Sequence, residues 1–132
     1  MNPLIIKTEQ LQTMIGHLEA ELPLEACGLL SGKDSRVEYV HVIRNQAQSP
    51  VRFVMDPLEQ LTALEWIESR NLALLAIFHS HPAGPETVSA TDIDEAAYPV
   101  VHIIFSRPGG KWQARGFWIE NRQAREVTLQ VD

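Results

Sequence analysis

The sequence predicts an α/β (α+β) sandwich, a mixed central β-sheet flanked by helices. Three observations carry that expectation. Residues 8–22 place Leu11, Met14, Ile15, Leu18 and Leu22 three or four apart, the spacing of one apolar helix face. Residues 72–78, Leu-Ala-Leu-Leu-Ala-Ile-Phe, form an unbroken apolar run, as in a central strand covered on both faces. Between and beyond them lie short apolar runs bounded by turn residues, so strand-like and helix-like segments alternate. The chain has 132 residues, and 45% of them are hydrophobic. That supports a single domain over residues 1–132 with a core of its own.

The elements follow in order. Pro23 closes the first helix. Residues 26–31 and 37–43 read as strands joined through Gly32-Lys33-Asp34-Ser35, which is turn chemistry. Residues 44–51 form a polar loop, and Phe53-Val54-Met55 is a short extended piece. Asp56 is placed to cap a second helix with Pro57 at its first position. Leu58, Leu61, Leu64 and Ile67 recur every three residues as its apolar stripe. Ser89 opens a third, short helix that runs to about Ala97. Residues 100–105 are a strand, Pro108-Gly109-Gly110 a turn, and 112–119 the hairpin partner. Residues 127–131 are the last expected strand.

The formal net charge of −6, with eleven scattered Lys and Arg, argues against a nucleic-acid surface. An acidic patch that meets a basic partner stays open. The single cysteine, Cys27, permits no internal disulfide and fits a reducing compartment. Its neighbours Ala26, Gly28, Leu29 and Leu30 read it as a buried, inert thiol. The apolar runs are too short to span a membrane, and residues 1–10 lack the pattern of a signal sequence. A soluble cytoplasmic protein is expected, as a monomer or a weak homodimer.

The most informative segment is His79-Ser80-His81-Pro82, then six residues, then Ser89-Ala90-Thr91-Asp92. Far upstream, Glu25 precedes the apolar run that begins at Ala26. Each piece alone has a bland reading. A His-x-His pair on a strand serves packing more often than ligation. Ser89-x-x-Asp92 is a capping box. Glu25 could be a solvated residue opening a strand. Together they converge, because residues two apart on a strand point the same way. Two imidazoles and one carboxylate can bind a divalent metal and leave a fourth position for water. Pro82 ends strand pairing there, and residues 83–88, with Gly84 and Pro85, can fold back over the site. Ser89 can cap the short helix and still turn its hydroxyl to a bound substrate.

Glu25, His79, Ser80, His81, Pro82, Ser89 and Asp92 at these spacings resemble the full motif of the JAMM (MPN+) zinc metalloprotease family. Pro23-Leu24-Glu25-Ala26-Cys27-Gly28-Leu29-Leu30 resembles the family's approach to its Glu, and the element order agrees over most of the chain. The resemblance implies the MPN/JAMM, cytidine-deaminase-like fold. It implies one zinc ion (Zn2+) held by His79, His81 and Asp92 with a water. Glu25 would be the general base, and Ser89 would bond the developing oxyanion or the water. It further implies hydrolysis of a peptide or isopeptide bond after the Gly-Gly tail of a ubiquitin-like or sulfur-carrier β-grasp protein. The small size favours the stand-alone prokaryotic type.

Two other classes fit the sequence less well. A non-catalytic MPN scaffold usually lacks metal ligands, and none is lost here. A zinc nucleobase deaminase needs His-x-Glu and Pro-Cys-x-x-Cys, which one cysteine cannot supply. Of the other polar candidates, His17 is expected to be solvated, and His41 and His102 to be packed and hydrogen-bonded. Asp94 and Glu95 are expected in solvent. Trp66 leaves the apolar stripe of its helix and reads either as peripheral packing or as a partner surface.

Overall fold

A computed structural model describes residues 2–132. The elements, in chain order, are β1 (Leu4–Ile6), α1 (Thr8–Glu21), β2 (Cys27–Lys33), β3 (Arg36–Ile43), α2 (Pro57–Ser69), β4 (Ala73–His81), α3 (Ala90–Glu95), β5 (Val101–Ser106), β6 (Gln113–Glu120), β7 (Gln123–Val127) and β8 (Leu129–Val131). A short 3-10 turn, Pro108–Gly110, precedes β6. Among the described residues no helix is long and apolar enough to cross a membrane.

The strands form one mixed eight-stranded sheet in the order β7-β6-β5-β4-β2-β3-β1-β8. The apolar run of residues 72–78 becomes β4, antiparallel to β2 and parallel to β5. Its central place explains its composition, because both faces are covered. Ala76 and Phe78 enter one core cluster with Met14 and Leu18 of α1. Ile77 points the other way, into a cluster with Cys27, Leu29, Ile43 and residues Ala63 and Leu64 of α2. Ile93 of α3 packs on that second face against Ile104, Phe117 and Ile119. Helices therefore lie on both faces of the sheet, α1 on one and α2 with α3 on the other.

The sheet's two edges are consecutive in sequence. β7 pairs with β6 and β8 pairs with β1, with Thr128 alone between them. One bent segment thus supplies both edge strands of the open sheet. β1 and β7 were not anticipated from sequence. β1 has three residues, too few for a visible alternation. β7 is exposed at every position but Val127, so it carries no apolar pattern.

Other expectations shift in detail. β2 and β3 extend to a tight turn at Asp34-Ser35, both at positive φ, the conformation a two-residue hairpin needs. Residues 53–55 make only a single bridge, Asn45 with Met55. Asp56 caps α2 as expected, accepting from the Leu58 and Glu59 amides at 3.0 and 3.1 Å. The stripe of α2 is a correction: Leu58 and Leu61 are 72% and 54% exposed, while Ile67 is buried. A strict three-residue spacing falls short of a 3.6-residue turn, so it winds off the buried face. Trp66 is half-buried between Tyr39 and His41, edge-on at 4.9 and 5.3 Å, with Arg70 over its ring at 4.5 Å.

Gly28 and Gly16 give opposite predictions. A Cβ at Gly28 would overlap the Phe78 ring and the His41 carbonyl oxygen. Gly28→Ala should lower the denaturation midpoint, at a cost of about 1–3 kcal/mol. At Gly16, inside α1, a Cβ meets nothing within 4 Å. Gly16→Ala should raise the midpoint, by about 0.5–1 kcal/mol of helix propensity. Equal and small effects in urea unfolding would contradict this account of the packing.

Candidate metal centre

The end of β4 carries His79 and His81 on one face, as strand periodicity requires. The ladder to β5 fixes both, pairing His79 with Ile104 and His81 with Ser106. Their side chains are almost fully buried, and their Nε2 atoms lie 3.0 Å apart. Asp92 reaches in from the first turn of α3. Its Oδ1 is 3.2 Å from His79 Nε2 and its Oδ2 is 3.3 Å from His81 Nε2. The capping box holds Asp92 there. The Ser89 amide donates to Asp92 Oδ2 at 2.8 Å, and the Asp92 amide donates to Ser89 Oγ at 3.0 Å. The bland and functional readings of Ser89-x-x-Asp92 are thus one structure.

Glu25 lies just before β2 and is 4% exposed, so it is no solvated residue. Its amide donates to the Ser49 carbonyl at 2.8 Å, and its carbonyl accepts from Asn45 Nδ2 at 2.9 Å. The next amide, of Ala26, donates to Ser80 Oγ at 2.9 Å. Glu25, His79 and His81 each bring a ligand-type atom within 4.8 Å of the others. All five predicted site residues therefore meet in one place.

The electrostatics there are unusual. Burial pushes Glu25 up to about 7, with His81 pulling it down and Asp92 pushing it up. Burial lowers His79. At His81 burial also acts to lower the pKa, but bonding to Asp92 and to the Pro85 carbonyl outweighs it and the net shift is upward. Burial would raise Asp92, yet the two imidazoles hold it well below the usual carboxylate range. His81 Nδ1 lies 2.8 Å from the Pro85 carbonyl oxygen, which can only accept. Nδ1 thus carries the proton, and in the neutral ring Nε2 presents a lone pair. That lone pair faces a carboxylate oxygen, so two acceptors confront each other and call for a cation or a shared proton. The two imidazole nitrogens lie 3.0 Å apart, and each has a different carboxylate oxygen of Asp92 beside it, at 3.2 and 3.3 Å. Metal–ligand bonds of about 2.0–2.1 Å give tetrahedral edges of about 3.3 Å. The N,N,O donor set and its spacing fit a divalent ion such as zinc.

Two clefts flank the cluster, of about 350 and 210 Å³. Glu25, His81, Pro85 and Ser89 line the smaller, and Met55, Ile77, Tyr98 and His102 the larger. Arg52, Phe53, Asp92 and Glu95 line both. The Phe53 ring stacks on His79 at 4.3 Å, and Arg52 and Glu95 approach to 3.9 Å across the opening. Sequence reasoning missed Phe53 and Asn45. Asn45 is buried and ties loop 44–55 together, donating to the Glu25 and Arg52 carbonyls and accepting from the Ala47 and Val54 amides. No spacing signals such a residue, since its partners are backbone groups.

The remaining candidates are placed as follows. His41 bonds Ser31 Oγ at 2.8 Å, as expected of a packed, hydrogen-bonded histidine. His102 is buried as expected, but its Nε2 is shut from water with no hydrogen-bond partner among the described residues. His17 is half-buried with its Nε2 shut from water, against the expectation of solvation. Asp94 and Glu95 are exposed. Cys27 is fully buried, and burial first, then Glu25, push its thiol up to about 12, so it is inert.

Glu25 supplies a prediction about pH. Its folded pKa, about 7, exceeds the model-compound value of 4.5, so the folded state holds this proton more tightly. The associated stability is present below about pH 4.5 and is lost as pH rises to about 7. Glu25→Gln does not titrate. In metal-stripped protein it should match the parent near pH 4.5 and exceed it above pH 7, by roughly 1–3 kcal/mol after solvent screening. Urea unfolding at both pH values checks this; an equal difference at the two would contradict it.

Comparison with known proteins identifies the family. Residues 7–119 match the family described as prokaryotic homologs of the JAB domain. A desampylase from Pyrococcus furiosus is 42% identical over 112 residues, covering 83% of this chain and 77% of the relative. A CysO-cysteine peptidase from Mycobacterium tuberculosis is 28% identical over 132 residues, covering 97% and 90%. A solution structure of a protein from Desulfitobacterium hafniense superposes with a TM-score of 0.86 at 35% identity, over 97% of this chain and 92% of that one. A JAB1/MPN domain protein from Archaeoglobus fulgidus shares the fold, with a TM-score of 0.66 at 19% identity, over 100% and 99%. The chain belongs to the prokaryotic JAB-domain family, the small prokaryotic branch of the JAMM (MPN+) peptidases.

Proposed function

We propose that the chain is a zinc-dependent peptidase that hydrolyses the peptide or isopeptide bond after the C-terminal tail of a ubiquitin-like or sulfur-carrier protein. The observation that carries this reading is the convergence of His79, His81 and Asp92 with the buried Glu25 beside them. The names of the relatives, a desampylase and a CysO-cysteine peptidase, support a small protein modifier as substrate. The lone, buried Cys27 is compatible with a cytoplasmic setting.

His79, His81 and Asp92 would hold one zinc ion. When bound, zinc lowers the pKa of a ligated water from about 15.7 to about 7 and polarises the scissile carbonyl. Glu25 would take the proton of the attacking water and pass it to the leaving nitrogen, a task that suits a carboxylate poised near neutral pH. Ser89 lies at the mouth of the smaller cleft with Glu25 and would donate its hydroxyl proton to the developing oxyanion. Its Oγ already accepts the Asp92 amide, which leaves the O–H free to donate.

The substrate tail would lie extended between residues 52–55 and α3. β4 offers no edge for strand addition, because β2 and β5 pair both its edges. The segment 51–55 is the better candidate edge, since its only strand-like pairing among the described residues is the isolated Asn45–Met55 bridge. The Phe53 side chain against His79 narrows the passage, and this favours glycines before the cut.

Three outcomes test the reading. His79→Ala and His81→Ala should lose zinc by elemental analysis, and full occupancy in either would remove it from the ligand set. Glu25→Gln should keep zinc and lose about 10²- to 10⁴-fold in turnover. A near-normal rate would end its role as base. Intact-mass assays on a metal-loaded enzyme should show cleavage of a β-grasp carrier extended beyond Gly-Gly and none beyond Gly-Val. Equal cleavage would point to a general peptidase.

A further inference from the structure

His81 owes its orientation to the connection between β4 and α3, residues 82–88. The Pro85 carbonyl in that segment accepts the His81 Nδ1 proton at 2.8 Å, which keeps Nε2 turned to Asp92. Little in the segment itself explains why Pro85 stays there. Residues 83–87 are exposed, and Val88 is the first to pack, against Ile104, Phe117 and Ile119. One turn bond, from the Gly84 amide to the His81 carbonyl at 2.9 Å, closes its start.

A side chain from another part of the sheet also reaches it. Arg115 of β6 donates from Nη1 to the Glu86 carbonyl, next to Pro85, at 3.3 Å. Arg115 is itself fixed by a fork on Glu126 of β7, with Nε and Nη2 bonds of 3.1 and 2.9 Å, and it lies 5.1 Å over the Phe117 ring. The ladder explains why an arginine of β6 can reach so far. His79 pairs with Ile104, Ile104 with Arg115, and Phe117 with Glu126. Paired residues share a face, so Arg115 stands in the cross-strand row of His79 and under the connection. A planar guanidinium can hold a carboxylate with one edge and a carbonyl with another; an ammonium cannot hold both in fixed geometry.

We propose that Arg115, locked by Glu126, is a positioning residue that anchors the 82–88 connection at Glu86 and, through the Pro85 carbonyl, sets the tautomer and aim of His81. Its consequence for metal affinity rests on the reading of His81 as a ligand; its consequence for the His81 ring does not.

The test uses nitrogen-15-labelled full-length protein. In metal-stripped samples at mildly alkaline pH, the His81 Nδ1–H resonance and its solvent exchange are compared among variants. Zinc affinity is then measured by competition with a chelator. Arg115→Ala should shift His81 toward the Nε2–H tautomer and speed exchange of Nδ1–H. It should weaken zinc about 3- to 10-fold, less than the 10- to 100-fold typical of a direct partner of a ligand. Glu126→Ala should do the same, and the double variant should add nothing, as for two parts of one unit. Arg115→Lys should rescue little. Arg122→Ala, which removes an exposed arginine 3.9 Å from Asp94, should leave both readouts unchanged. Should Arg115→Ala fail to fold, Glu126→Ala and Arg115→Lys carry the test. An unaltered His81 resonance in these variants overturns the proposal. A changed resonance with unchanged zinc affinity upholds the anchor and counts against His81 as a ligand.

Discussion

The site is governed by the cost of burying two imidazoles and two carboxylates together at the end of the central strand. Such groups are tolerated away from water only when each is paired or shares a cation. The surrounding sequence serves that need. The Ser89–Asp92 box aims one carboxylate, the Pro85 carbonyl fixes one ring, and Asn45 stitches the loop that covers Glu25. Among the described residues Glu25 forms no ion pair with a Lys or Arg, and the His81 imidazole beside it only partly offsets its burial. Its pKa stays near 7 because burial dominates, which suits the proposed role of gaining and losing a proton.

The fold supplies the rigidity these groups require. β4 is paired on both sides and covered on both faces, so the two histidines sit on a part of the molecule with little freedom. The other contributors, Glu25, Asp92 and residues 52–55, lie at the starts of elements or in loops beside it. Precise donors on a sheet with loop-borne walls around them suit an enzyme that must admit a substrate and release a product.

Sequence alone revealed the parts with a local or periodic signature. The apolar run of β4, the amphipathic α1, the caps at Asp56 and Ser89 and the His-x-His pair all declare themselves through spacing. What stayed hidden depends on distant backbone partners or on chain closure. β7 is a polar edge strand whose place is fixed by β6, and Asn45 is buried only because the Glu25 and Arg52 carbonyls come to it. The α2 stripe misled because a three-residue repeat is not a helix face, and Leu58 and Leu61 ended in solvent. The functional cluster was legible for the opposite reason: its residue types are rare in combination, and their spacing suits one geometry.

The central claim is that His79, His81 and Asp92 form a three-ligand zinc centre with an exchangeable fourth position. X-ray absorption at the zinc edge on the purified, zinc-loaded protein tests it directly. The account predicts two imidazole nitrogens and oxygen ligands at about 2.0–2.1 Å, with no sulfur scatterer. A sulfur at about 2.3 Å would assign the metal to Cys27, and a shell with a single imidazole would break the histidine pair; either result contradicts the account.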